Sequence, residues 1–441
     1  MSETHRKYNF GSYIKNISWN ILASISSKMI KPVFSILVAR ILVPEDYGLV
    51  AIALGIYAFF NTIKDFGISS VIIINKDGYD YTRIHFSFQF LISIFCYALI
   101  YSSTNWLSLY FSQPELMTIM PIVGLGLFIS SIEDALLTRH YKNNEYKTIF
   151  YRQLIPAFVS GSVALVLAIL GLGVYALVLS ILLGSLASTI FLIVYNKWLP
   201  VFEFDFVRFK ALFSLGKHVI VQKLSGFTAL HLDSLIVAKN LGVQSAGIYK
   251  MSMELSSLIP NSLLFQYQQV LFTEASEKQG DPDYLTHRYN QFIKVGFVFN
   301  VIYFIATYFF VPILVPIILG EKWSSIIEPI QLLVITIISS NLVNPNGQFS
   351  QILGFNHVYT YFSIVRSVVT AIAVLIASYY SIHMVLLTWV GVGIVANFIN
   401  FNIFRLYQES VAITKLIYLM FSVVVILYLF TLTNWVTNGI V

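Results

Sequence analysis

The sequence predicts an all-α integral membrane protein. It reads as about thirteen transmembrane helices in two six-helix lobes related by a pseudo-two-fold axis along the membrane normal, plus one C-terminal helix. Three observations predict this. Of 441 residues, 57% are hydrophobic and only 11% are charged, whereas an ordinary soluble domain is about 25% charged. Apolar runs of membrane-spanning length recur along the whole chain, separated by short loops. A weak internal duplication relates the two halves at an offset of 199 residues.

The composition excludes a soluble enzyme or a nucleic-acid binder, because too few charges are available to cover a water-facing surface. A mean hydropathy of +0.76 agrees. The net charge of +6 has a plain explanation in a membrane protein, where Lys and Arg crowd the cytoplasmic loops. The single cysteine, Cys96, excludes an intrachain disulfide and a cysteine-based metal site, and the eight His show no ligand spacing.

In order, the predicted spans are 13–38, 47–66, 84–105, 117–138, 154–171, 173–195, 214–238, 246–270, 292–318, 327–352, 358–379, 382–404 and 414–435. Each is close to the roughly 20 apolar residues that cross a bilayer. Continuous apolar runs indicate helices; a membrane barrel would alternate in strands of about ten residues. The first run carries Asn20, Ser24, Lys28 and Lys31 and lacks a small-residue cleavage site, so it is expected to remain as a span.

Orientation follows from the cations. Only Arg40, Lys239, Lys250 and Lys322 fall in loops opposite the N-terminus, and Lys28, Lys31, Lys223 and Arg366 fall within spans. The rest of the 27 Lys and Arg lie on the N-terminal side. That bias puts the N-terminus in the cytoplasm and, with an odd number of spans, the C-terminus outside. The long loops, 67–83, 196–213 and 271–291, are then cytoplasmic, while outer loops such as 171–173 and 379–383 are short.

The duplication aligns residues 35–42 (SILVARIL) with residues 234–241 (SLIVAKNL), and the register continues to Gly48 and Gly247, each opening the next span. Spans 1 and 7 thus begin two units of equal polarity, since an even number of spans per unit gives parallel repeats. The expected domains are an N-terminal lobe at 1–200, a C-terminal lobe at 201–408 and an extra helix at 409–441. Two lobes facing each other across a cleft can expose a midplane site alternately to each side.

Polar residues within spans need a reason, because each charge costs about 2.5–3.5 kcal/mol on insertion scales. Lys28 and Lys31 share a face of span 1, Lys223 lies in its repeat mate, and Arg366 lies two turns into span 11. They read either as the cationic lining of a cleft for an anionic ligand, or as snorkelling or paired charges. Asp233 and Glu254 are the acidic counterparts, open to an ion-coupling role or to neutralising a cation. Asp65, Glu133 and Asp134 sit near cytoplasmic helix ends, where a solvated face or a cap is expected. In span 10, Asn341, Asn344 and Gln348 form a helical stripe around Pro345. Uncharged amides suit hydroxyl-rich ligands, and they serve equally as glue between helices. Asn397, Asn400 and Asn402 give a weaker signal of the same kind. No nucleotide-binding loop or hydrolase motif is present, so no cofactor is expected and any movement would draw on a substrate, proton or sodium gradient.

Residues 38–48 (VARILVPEDYG) resemble the junction after the first span of bacterial polysaccharide transporters, the Wzx-like lipid-linked oligosaccharide flippases of the multidrug/oligosaccharidyl-lipid/polysaccharide (MOP) exporter superfamily. Asp65-Phe66-Gly67 resembles the Asp-x-Gly that ends their second span. Leu215-Gly216-Lys217 leading to residues 233–242 (DSLIVAKNLG) resembles the start of their second lobe. The second junction departs from the pattern, with Val243-Gln244 where a Pro-acid pair stands in the first. Thirteen spans are also fewer than the fourteen of lipid II flippases and more than the twelve of drug antiporters.

The resemblance implies a non-enzymatic flippase in the bacterial inner membrane. Its implied substrate is an undecaprenyl-pyrophosphate-linked oligosaccharide, and a polysaccharide polymerase is an implied partner. Lys28, Lys31, Lys223 and Arg366 would meet the pyrophosphate or acidic sugars, by role and position in the spans. A cation-coupled multidrug antiporter is the alternative; the excess of intramembrane cations disfavours it. A membrane glycan polymerase or ligase is disfavoured by the short outer loops, and a helical scaffold by the paired lobes and charged spans.

Overall fold

The structure, a computed structural model, describes residues 30–75, 78–143, 145–198, 200–278, 280–407, 417 and 421–429. Among them the chain is helical throughout, with no strand. The helices are α1 (Ile30–Ala39), α2 (Pro44–Asp65), α3 (Ile68–Ile74), α4 (Thr82–Phe111), α5 (Leu116–Gly124), α6 (Gly126–Lys142), α7 (Tyr146–Ile169) and α8 (Val174–Asn196). They continue as α9 (Phe206–Phe227), a π turn (Thr228–Leu232), α10 (Asp233–Glu277), α11 (Pro282–Ile318), a 3-10 turn (Glu321–Ile326), α12 (Ile327–Ile352), α13 (Asn356–Ala377) and α14 (Ile382–Tyr407).

Local chemistry sets the helix starts. Pro44 opens α2 with its fixed φ, Glu45 and Asp46 face the positive end of the helix dipole, and the Asp46 carboxylate accepts from Val43 N–H at 3.1 Å. Asp281 caps α11 by accepting from Tyr284 N–H at 2.9 Å, with proline in the first turn. α10 covers 45 residues, but Gly242 sits at φ 86°, ψ 169° and divides it into two helices. The left-handed φ suits glycine. The break falls in the loop expected between spans 214–238 and 246–270.

Among the described residues, nine helices are long and apolar enough to cross a membrane. The expected span 13–38 lies mostly outside the described residues, as does much of 414–435. α9 and α10 fall short of that apolarity, because Lys, His, Asp, Ser and Gln interrupt their runs. Burial separates core from periphery. The span Glu321–Ile352 is 72% buried, whereas Pro282–Ile318 and His357–Ala377 are each 17% buried. α12 is thus the inner helix of its unit, and α11 and α13 present apolar surface outward, as lipid-facing helices do.

Contacts divide the chain into two compact units. One holds the described residues up to Leu42 and Ala53–Leu224; the other holds Val43–Ile52 and the described residues from Ser225 onward. In the first, Leu212 of α9 is buried with Ile68, Val71 and Ile72 of α3 and with Ile84 and Phe88 of α4. α9 therefore belongs with the first unit as far as Leu224.

In the second unit the opening turns of α2 and of the 243–277 segment cross backbone against backbone. A Cβ on Gly48 would stand 1.9 Å from the Val243 carbonyl oxygen, and one on Gly247 would stand 1.8 Å from that of Pro44. The offset of 199 carries Pro44 to Val243 and Gly48 to Gly247, so the two contacts are images of each other under the internal repeat. Small residues permit such close crossings in membranes.

Candidate functional site

α2 is apolar for most of its length and ends in Lys64 and Asp65. Both are buried, Lys64 completely and Asp65 at 7% exposure. The chain then turns sharply, with Phe66 at φ 46° and Gly67 at φ 74°. Asp65 braces that turn by accepting from Gly67 N–H at 3.1 Å. The turn also meets α9 at close range: a Cβ on Gly216 would lie 2.6 Å from the Phe66 carbonyl oxygen, and one on Gly67 would lie 2.7 Å from that of Gly216. This gives the Asp-x-Gly motif a physical basis.

The Asp65 carboxylate collects donors from three helices. Ser69 of α3 donates its hydroxyl, and Lys223 of α9 donates its ammonium. Gln89 of α4 donates its amide at 3.1 Å. His85, one turn before Gln89, places Nε2 at 3.9 Å from the carboxylate, 3.3 Å from the Ser69 hydroxyl and 2.9 Å from the Gln89 amide nitrogen. Two further charge clusters flank this one. Lys64 donates to Ser130 at 2.6 Å and to Asp134 at 3.1 Å on α6. The neighbouring Glu133, 6% exposed, accepts from Arg152 of α7 at 2.7 Å and from Ser188 of α8 at 2.9 Å. Adjacent carboxylates on α6 thereby pin it to helices on two sides.

This corrects the expectation of solvated ends for Asp65 and Glu133. Both are interior groups held by ion pairs, as a buried carboxylate must be. Lys64, which counts among the loop cations by position, is an interior ion-pair residue. His85 and Gln89 carry no role in the sequence reading. Their spacing of four, inside an apolar span, is the signal that marks them as one polar helix face.

Two cavities open in this unit. One, of about 270 Å³, has a mixed wall, with Asp80, His85, Arg139 and Lys142 beside Ile72 and Ala135. Asp80 accepts from Thr82 N–H at 3.1 Å and lies 3.8 Å from Arg139. Lys142 donates to the Tyr79 carbonyl at 3.3 Å. The other cavity, of about 480 Å³, is apolar, with Phe60, Phe66, Phe88, Phe95, Cys96 and Phe209 among its lining.

The second unit joins its helices largely through side-chain amides. Arg366 of α13, half-buried, donates to Asn397 at 3.2 Å. Asn397 in turn donates to Ser339 at 2.9 Å and Ser340 at 3.0 Å on α12. Asn341 donates to Asn300 of α11 at 2.8 Å. Asn346 accepts from Tyr289 and donates to Asn400, both at 2.9 Å. The stripe expected on α12 therefore spans different surroundings: Asn341 is buried, Asn344 is exposed, and Gln348 is half-buried with its carbonyl oxygen buried and without a partner. Asp233 accepts from Tyr249 at 2.7 Å and from Ser234 N–H at 2.7 Å, whereas Glu254 is exposed. Lys31 lies exposed on α1, and Lys28 lies outside the described residues. Among the cationic candidates, Lys223 is engaged by Asp65 within the first unit and Arg366 by Asn397 within the second.

The helices and their order superpose on a multidrug resistance MATE family transporter of the MOP superfamily, in an inward-facing conformation, over 91% of this chain and 99% of that one. The TM-score is 0.72 at 14% identity. This likeness establishes the fold, and with nine helices among the described residues long and apolar enough to cross a membrane, the chain is a multi-pass membrane protein of the MOP transporter fold. It belongs to the polysaccharide biosynthesis protein family, which it matches over residues 37–328. The chain is similar to the succinoglycan biosynthesis transport protein ExoT of Rhizobium meliloti, 22% identical over 275 residues, which are 62% of this chain and 56% of that protein. It is similar also to the lipopolysaccharide biosynthesis protein WzxC of Escherichia coli, 23% identical over 345 residues, 76% of this chain and 68% of that one. The chain thus spans little more than half the length of the succinoglycan relative.

Proposed function

We propose that this chain is a flippase for undecaprenyl-pyrophosphate-linked oligosaccharide units, the precursors of O-antigen, capsule or exopolysaccharide. It moves them from the cytoplasmic to the outer leaflet of the bacterial inner membrane by alternating access, with its N-terminus in the cytoplasm. A polysaccharide polymerase then receives the unit. The observation that carries this reading is the family match over residues 37–328, which takes in both repeat junctions, on a multi-pass membrane fold.

The chemistry of the load supports it. A glycan head must cross a hydrocarbon core about 30 Å thick, so it needs hydroxyl partners and cations along its way. Asn341, Asn344 and Gln348 supply amides. Lys28, Lys31, Lys223 and Arg366 supply positive charge for the pyrophosphate or acidic sugars. The apolar cavity of about 480 Å³ lined by Phe60, Phe66 and Phe88 suits a hydrocarbon chain. An ion gradient drives the cycle, with Asp233 and Glu254 as candidate coupling carboxylates.

The test is deletion of the gene in its native host, with lipid-linked sugars and surface glycan analysed together, followed by complementation with wild type and Arg366→Ala. Loss of surface glycan with intact lipid-linked units held on the cytoplasmic face supports flipping. Failure of Arg366→Ala at normal protein levels places that cation on the route. Single units that reach the outer face without chain growth indicate a polymerase instead. Unchanged glycan with new sensitivity to cationic drugs replaces the flippase with an antiporter.

A further inference from the structure

The cavity of about 270 Å³ takes one side of its wall from the last turns of α6. Ala135, Thr138, Arg139 and Lys142 stand at i, i+3, i+4 and i+7, which is one face of a helix. Ile72 of α3, the 78–81 segment and the start of α4 complete the wall. Lys142 ends the span Leu116–Lys142 and Thr82 begins the span Thr82–Phe111. The cavity therefore lies where these helices reach the membrane surface.

The donors on this face exceed the acceptors that engage them. Arg139 meets Asp80 at 3.8 Å, an ion contact too long for a hydrogen bond. Its guanidinium N–H groups have no acceptor among the described residues. Asp80 is turned toward α4 instead, where its Oδ1 accepts from both the N–H and the hydroxyl of Thr82. Lys142 has the Tyr79 carbonyl at 3.3 Å and the Tyr81 ring at 5.6 Å. No carboxylate lies within ion-pair distance of it among the described residues. Thr138 is 4% exposed, and its hydroxyl has no hydrogen-bond partner among the described residues. Leaving such a buried group unsatisfied is costly, and a ligand in the cavity removes that cost.

A guanidinium fork, an ammonium and a hydroxyl on one wall suit an oxyanion. A phosphate group offers oxygens in several directions, so it can accept from all three at once, which a planar carboxylate cannot do as well. At roughly 30 Å³ per water, the cavity holds a phosphate group with several waters. Arg139 and Lys142 outnumber Asp80, so the described charges of the wall favour an anion.

We propose that this cavity binds a phosphate ester at the membrane surface, held by Arg139, Lys142 and Thr138 and opposed by Asp80. The ester comes either from a lipid headgroup or from a water-soluble phosphate. The site goes beyond the flippase reading: it contains none of the residues placed on the glycan route, and its occupation is measured without transport.

The experiment uses the full chain in phosphate-free maltoside micelles. It is titrated with dioctanoyl phosphatidylglycerol, with glycerol 3-phosphate, and with one in the presence of the other. Bound adducts are counted by native mass spectrometry. The expected result is one saturable adduct. Saturation by the lipid alone assigns the site to a headgroup, saturation by glycerol 3-phosphate alone assigns it to a soluble ester, and mutual competition assigns it to the phosphate in either form. Arg139→Gln and Lys142→Gln each weaken the adduct by about tenfold or more, the loss expected of one charged hydrogen bond. Thr138→Val weakens it by about fivefold, as loss of a neutral one does. Asp80→Asn keeps an acceptor for Thr82 and tightens the adduct, a gain that a damaged fold cannot produce. Lys210→Gln makes the same change of net charge at an exposed position outside the wall and leaves binding unchanged. No saturable adduct with either probe overturns the proposal. So does an adduct that ignores Arg139→Gln and Lys142→Gln, or one that Lys210→Gln weakens equally.

Discussion

Substitution of Gly48 or Gly247 by alanine tests the paired crossing in the second unit. Each new Cβ would stand under 2 Å from a carbonyl oxygen, at 1.9 Å for Gly48 and 1.8 Å for Gly247. Ordinary contact needs more than 3 Å, so the two backbones have to separate by over 1 Å. Neither obstacle is a side chain that could rotate aside. Overpacking costs about 1–3 kcal/mol where side chains share the strain, and the upper end of that range, about 3 kcal/mol, is expected for each single substitution. The repeat makes a sharper demand. Both contacts join the same two segments, so one separation relieves both clashes. Gly48→Ala/Gly247→Ala should therefore cost about as much as either single change, whereas distant sites add within about 0.5 kcal/mol. Unfolding in mixed detergent–SDS micelles gives the three free energies. Additive costs, or an alanine tolerated at either position, would refute the reasoning.

Three further outcomes follow from the same geometry. Lys64→Met leaves Asp134 without its partner, and should cost about 3 kcal/mol, the lower end for breaking a buried pair because Asp134 keeps some exposure; Lys64→Met/Asp134→Leu should recover most of that loss in the same unfolding assay. Asn346→Leu strands both Tyr289 and Asn400 and should cost about 1–3 kcal/mol for each buried group left unsatisfied, whereas Asn344→Leu, with an exposed side chain, should be close to neutral. Outside the spans, the Tyr79 hydroxyl donates to Glu203 at 2.6 Å, and that bond holds its pKa above the ordinary tyrosine value. A raised folded-state pKa adds stability below the unfolded value and loses it as pH rises through the folded one. Tyr79→Phe should thus be slightly less stable than wild type at neutral pH, with the difference vanishing in strong alkali.

What the sequence made legible was whatever depends on one residue at a time or on one fixed spacing. Lipid solvation leaves an apolar signature at lipid-facing positions, so nine of the thirteen expected spans and the all-helical class could be read directly among the described residues, whereas 214–238 and 246–270 are too polar to meet the same measure. The repeat was visible because Gly48 and Gly247 have to be glycine at matching places. Ion pairing was not legible. Asp65 and Lys223 lie 158 positions apart and Lys64 and Asp134 lie 70 apart, and nothing local distinguishes a carboxylate capping a solvated end from one buried against a lysine. The amide stripe on α12 shows the opposite failure. Its helical period was correct, but Asn341, Asn344 and Gln348 met three different surroundings, because spacing fixes a face and its neighbours decide what that face touches.

Three of the charge pairs of the first unit, those with a buried member, have an electrical consequence. Lys64 with Asp134, Glu133 with Arg152 and Asp65 with Lys223 each sum to zero. A unit carrying an unbalanced charge across the membrane field would gain or lose about 2.3 kcal/mol per charge for every 100 mV. Held as neutral couples, these six side chains can shift through the field almost without electrical work. Their displacement then adds no gating charge, and membrane voltage acts on them only once a couple is opened.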